Sequence, residues 1–124
     1  MKFYSIKNKG HRVDGRQAVM AGLAPDGGLY MPEEIPCFST AFFNELAGQS
    51  LQEMSFSIAN VYLGDVVPPD TLHEIVVGAL DFPIPLKPVG GLSVLELFHG
   101  PTLAFKDGGA RFMARLMDYF VQGE

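Results

Sequence analysis

Apolar residues along the chain follow first a short extended pattern, then a helical one, then an unbroken run of strand length that leads into a last amphipathic helix. Residues 2–7 carry Phe3, Tyr4 and Ile6, the aromatic and β-branched types of a strand, and residues 8–10 behind them have turn chemistry. Asp14 can cap a helix over 15–23, which Ala24-Pro25-Asp26-Gly27-Gly28 stops before a brief extended piece at 29–31. From residue 40 the spacing becomes helical, and three helices are predicted. The first spans 40–47, capped by Ser39 or Thr40 and followed by Gly48. The second opens on the capping-box pair Ser50 and Glu53 and aligns Leu51, Met54, Ile58, Val61 and Tyr62 on one face up to Gly64. The third follows Pro68-Pro69, with Asp70 in its first turn and Leu72, Ile75, Val76, Ala79 and Leu80 on one stripe, and ends before Pro83.

Residues 82–88 are proline-rich and read as a linker, so a boundary is expected at residue 82. Beyond it, 92–98 is an apolar run of strand length, followed by a Gly-Pro turn and a helix with Phe112, Met113, Leu116, Met117 and Phe120 on one face. A strand–loop–helix of this kind normally needs a neighbouring parallel strand reached through the helix. Four residues remain after Phe120, so the chain is expected to stop inside a larger architecture. The fold class is α/β: a small helical unit with short strands over 1–82, then the first strand and helix of a parallel-sheet domain over 83–124.

Composition narrows the function classes. The chain has 124 residues, 48% of them apolar, enough to bury a core. Its formal net charge is −5, with Lys and Arg scattered, which argues against a nucleic-acid footprint. The single cysteine, Cys37, excludes an internal disulfide and lies between Pro36 and Phe38, a setting that reads as packing rather than nucleophile. The first ten residues lack a signal-peptide run, and no segment approaches the ~20 apolar residues of a membrane span, so a cytoplasmic location is expected. His11 and His73 have no acidic or cysteine neighbour at ligand spacing, and no metal site is predicted.

Chemistry concentrates in residues 98–109, which join the apolar run to the last helix. Lys106 falls at or near that helix's N-terminus, where the macrodipole disfavours a cation by ~0.3–1 kcal/mol, so stability alone does not select lysine there. A helix start and an apolar loop both favour a neutral amine, the form that attacks an aldehyde. The plainer reading is a solvated lysine paired with Asp107. Gly108 and Gly109 allow close packing of helix on sheet; His99 reads as a hydrogen-bonded loop residue and Thr102 as a helix cap. Glu33-Glu34 reads as a solvated pair, and Arg111, Arg115 and Asp118 as the exposed side of the last helix.

The segment His99-Gly100-Pro101-Thr102-Leu103-Ala104-Phe105-Lys106-Asp107 closely resembles the cofactor-lysine segment of threonine synthases, and residues 22–32, Gly-Leu-Ala-Pro-Asp-Gly-Gly-Leu-Tyr-Met-Pro, resemble that family's N-terminal segment. The resemblance implies that Lys106 binds the aldehyde of pyridoxal phosphate and moves protons, and that Phe105 sits against the pyridine ring. It implies conversion of O-phosphohomoserine and water to threonine and phosphate. The chain departs from the family by omission: it has no glycine/serine-rich loop for the cofactor phosphate, no asparagine loop at the pyridine hydroxyl and no partner for the ring nitrogen, so alone it is expected to be inactive. Two alternatives stand beside this reading: a stand-alone, non-catalytic interaction module, and a synthase-like lyase with a different substrate. An incomplete domain would leave the last helix and the strand before it uncovered, a surface through which copies could self-associate; a module would cover it or dimerise through it.

Overall fold

The computed structural model describes residues 1–122. The chain opens with β1 (Lys2–Ser5), β2 (Arg12–Asp14) and α1 (Gly15–Ala21), then β3 (Tyr30–Pro32) and α2 (Thr40–Glu45), which runs into a 3₁₀ turn at Leu46–Gly48. There follow α3 (Leu51–Leu63), α4 (Pro69–Ala79), β4 (Leu86–Val89), β5 (Leu92–Leu95) and α5 (Asp107–Gln122). β1 is the central strand of an antiparallel sheet of order β2-β1-β3, with Phe3 opposite Val13 and Tyr4 opposite Met31. The α/β class and the helical unit with short strands thus stand.

Local chemistry accounts for the helix starts. Asp14 accepts the N–H of Gln17 while the Gln17 side chain accepts the N–H of Asp14, and Ser50 and Glu53 form the same reciprocal pair at α3. Ser39 caps α2 through the Phe42 N–H, and Pro69 takes the first position of α4, where its missing N–H costs nothing. Helical packing then forms the core: Leu63, Val67, Leu72, Ile75, Leu116 and Phe120 are buried together, with Phe56, Tyr62 and Phe112 packed against them. α5, which lies beyond residue 82, packs on α4 and α1 and shares this core with α3.

The structure departs from the sequence reading at five places. Residues 82–88 are not simply a linker, because β4 pairs antiparallel with β5, Leu86 opposite Leu95 and Val89 opposite Leu92. Gly90, at φ 59°, and Gly91 make the tight turn between them; three prolines in 83–88 masked this glycine-pair hairpin signal. The strand expected over 92–98 ends at Leu95, and it is paired antiparallel with β4. On α3 the buried side is rotated: Ile58 and Val61 face solvent, while Leu63 is buried with Phe56 and Ala59 beside it. Arg111 does not belong to an exposed face, since its guanidinium donates to the carbonyls of Ala79 (3.1 Å) and Gly78 (2.8 Å) and to Asp81 (2.7 Å), closing the end of α4. Finally, Cys37 is exposed, so it does not serve packing.

Candidate functional site

The hairpin hands the chain to α5 through a loop that presents most of the chemistry. The Glu96 N–H donates to the Pro85 carbonyl (3.0 Å), the last bond of the hairpin. His99 Nε2 lies 2.7 Å from the Glu96 carboxylate, and its ring lies 4.6 Å from that of Phe98. His99 is therefore a hydrogen-bonded loop residue, as its position suggested. Gly100 is buried, its carbonyl accepts from the Leu103 N–H, and Leu103 adopts φ 59°. The Lys106 carbonyl accepts from the Ala110 N–H (2.8 Å), which places Lys106 at the cap position of α5.

Lys106 and Phe105 stand side by side on the outer side of this loop. Both are exposed, and Lys106 Nζ lies 5.9 Å from the centroid of the Phe105 ring, its one close partner among the described residues. The ion pair with Asp107 does not form. Asp107 is instead buried, with the Thr102 N–H and hydroxyl both donating to its carboxylate. Thr102 lies too far before α5 to cap it. Sequence reasoning missed Asp107 because neighbouring charges of opposite sign look like a pair, and nothing in the residue types marks a threonine five positions earlier as the true partner.

Among the described residues three carboxyls are held below the ordinary carboxylate range. In Asp107 the Thr102 hydroxyl is the main cause, opposed by burial and assisted by the N–H groups of Thr102 and Ala104. Asp26 is lowered by the Ser5 hydroxyl and the Gly28 N–H, and Glu53 by the Ser50 N–H and hydroxyl. A carboxyl depressed in the folded state contributes stability that is complete above its unfolded value of about 4 and is lost as pH falls through the folded value. Denaturant unfolding at a series of pH values is expected to give a level stability from neutrality down to about pH 5, then a fall beneath about pH 4 that is shallower in Asp107→Asn.

Residues 22–32 have a structural task of their own. Ser5, fully buried, donates to both Asp26 carboxylate oxygens (2.7 and 2.8 Å), and the same carboxylate accepts the Gly28 N–H (2.8 Å). A Cβ at Gly28 would fall 2.2 Å from Ser5 Oγ, so glycine is required where the turn presses on β1. His11 bonds to the Tyr30 hydroxyl and His73 packs edge-on against Phe56. Among the described residues no cluster could hold a metal ion, and no helix is long and apolar enough to cross a membrane.

A helical core with a small antiparallel sheet and a loop that presents an exposed amine at a helix start defines a small α/β unit. Residues 2–80 match the family described as threonine synthase N terminus. Threonine synthase of Escherichia coli is 40% identical over 122 residues, covering 98% of this chain and 28% of that protein, and the Haemophilus influenzae enzyme is 44% identical over 118 residues, covering 94% and 27%. The crystal structure of the Escherichia coli enzyme superposes with a TM-score of 0.93 at 38% identity, over 98% of this chain and 28% of that one. The pyridoxal-phosphate-bound threonine synthase of Brucella melitensis gives 0.93 at 36% identity, over 99% and 28%. The chain belongs to the threonine synthase family and corresponds to its N-terminal part. It spans a little over a quarter of the length of these relatives.

Proposed function

We propose that this chain supplies the cofactor lysine of a pyridoxal-phosphate enzyme that converts O-phosphohomoserine and water to threonine and phosphate. The observation that carries this reading is the Lys106 amine, exposed at the start of α5 and bonded to no described residue while the carboxylate next to it is occupied by Thr102. The residues present fit an aldehyde-bearing aromatic cofactor: an amine without a competing partner for the aldehyde, and the Phe105 face beside it for the ring. Bound there, pyridoxal phosphate supplies an electron sink that allows phosphate to leave the γ carbon and water to add at the β carbon. Lys106 would hold the cofactor and pass protons at its Nζ; Phe105 would limit tilt of the ring.

Residues for the cofactor phosphate, the ring nitrogen and the substrate are assigned to the rest of the intact enzyme. The uncovered surface supports that division. Leu92, Val94 and Leu95 of β5 are exposed, as are Leu97, Phe98, Leu103, Met113 and Val121, large apolar side chains that a covering layer would bury. The isolated chain would self-associate through the same surface.

The test is chemical. Pyridoxal phosphate added to the intact natural protein and fixed with borohydride should map to the peptide containing Lys106, and the protein should release phosphate from O-phosphohomoserine as threonine forms. A label on a different lysine would remove Lys106 from the site; a labelled protein that leaves O-phosphohomoserine untouched would move the reading to a related lyase.

A further inference from the structure

Thr102 and Asp107 meet across the four residues that separate them, so that the loop bearing Lys106 is closed at its base. Asp107 is 5% exposed and both its carboxylate oxygens are occupied: Oδ2 by the Thr102 N–H at 2.9 Å, Oδ1 by the Thr102 hydroxyl at 2.5 Å. An aspartate placed only to complement the helix dipole would remain in solvent and need no such partner. Other features brace the same closure. Gly100 lies so near Asp107 that a Cβ there would fall 2.4 Å from Oδ2 and 2.6 Å from the Asp107 Cβ, so only glycine lets the carboxylate reach its place. Leu103 holds φ 59°, a conformation that a non-glycine residue keeps only where its surroundings fix it. The Asp107 N–H also returns to the Ala104 carbonyl at 3.1 Å.

We propose that Thr102 and Asp107 are positioning residues, a hydroxyl–carboxylate clamp that fixes the direction in which Phe105 and Lys106 leave the loop toward the cofactor. The proposal rests on Lys106 being the cofactor lysine. A long amine on an open loop would sample many directions, few of which bring Nζ to an aldehyde held elsewhere in the protein; closing the loop removes most of them before the cofactor arrives. The clamp also keeps a negative charge occupied one residue from the amine. Asp107 is held below the usual carboxylate range chiefly by the Thr102 hydroxyl, so loss of the hydroxyl would free that charge rather than extinguish it.

The experiment uses the intact natural protein, freed of any bound cofactor, exposed to pyridoxal phosphate and reduced with borohydride. Peptide mapping then compares Lys106 with Lys2, Lys7, Lys9 and Lys87 of the same chain, which serve as internal controls. Wild type should label Lys106 selectively, and Thr102→Val should lower that selectivity about tenfold, the scale of a lost orientation. Thr102→Ser keeps the hydroxyl and should stay near wild type. Asp107→Asn should fall as Thr102→Val does, and the double variant should be no worse than either, since both remove one interaction. Thr102 is exposed, so circular dichroism should be unchanged in Thr102→Val. Wild-type selectivity in Thr102→Val, or a serine variant as poor as valine, overturns the clamp while leaving Lys106 in place. A wild-type protein with no preference for Lys106 overturns the cofactor reading and the clamp together.

Discussion

Replacing Lys106 with alanine is expected to abolish turnover in the intact enzyme while leaving its fold unchanged. Removing a group that transfers protons costs on the order of 10³-fold or more in kcat, about 4 kcal/mol of barrier, and here the same group would also hold the cofactor. Nothing in the fold opposes the change, because the amine bonds to no described residue and its partner is the exposed ring of Phe105. The measurement is kcat with saturating O-phosphohomoserine and cofactor, beside a denaturant melt. Lys106→Arg keeps the charge but cannot form the bond to an aldehyde, and should be as inactive as alanine. Should alanine retain more than a tenth of the rate, the lysine is not catalytic. A large fall in stability without a change in rate per folded molecule would return Lys106 to a structural role.

Leu72→Ala is expected to be the most damaging change to the fold. Leu72 is fully buried among Leu63, Val67, Ile75, Leu116 and Phe120, where α4 meets both α3 and α5. Large-to-small changes at such sites cost about 2–5 kcal/mol, the transfer of the lost methyls plus the cavity they leave, against a total stability for a small domain of about 5–15 kcal/mol. Urea unfolding should show a lower midpoint with an unchanged slope. A shift worth under ~1 kcal/mol would mean that the surrounding helices collapse into the space.

What the sequence made legible follows from how local each cause is. The caps at Asp14, Ser39 and Ser50 depend on residues three positions apart, and all appear where the pattern places them. The α4 stripe was legible because that helix is packed on one side only, by α3 and α5, and Leu72, Ile75, Val76 and Ala79 are buried together. α3 was misphased because Ile58 and Val61 are as apolar as the residues that pack, and a period cannot tell a core from an uncovered face. The hairpin was hidden by prolines. Pro88 sits on β4 opposite Ser93, one residue from the strand end, where a proline on an unpaired edge loses no ladder bond. Lys106 was singled out through the residues around it, whereas Asp107 was assigned to the wrong partner. Contacts that depend on a loop's path, such as Thr102 to Asp107 or Arg111 to the end of α4, leave no periodic trace.

The place of α5 in the core also bears on synthesis. Leu116 and Phe120 complete a cluster whose other members, Leu63, Val67, Leu72 and Ile75, are all translated earlier. While the ribosome is making the hairpin, the helices already outside have no final surface to close on, and the chain is delivered at only ~5–20 residues per second. Closure waits for α5, and the loop carrying Lys106 emerges just ahead of it. The nascent protein therefore completes its core and sets the loop carrying Lys106 in one event, rather than folding first and fitting the loop afterwards.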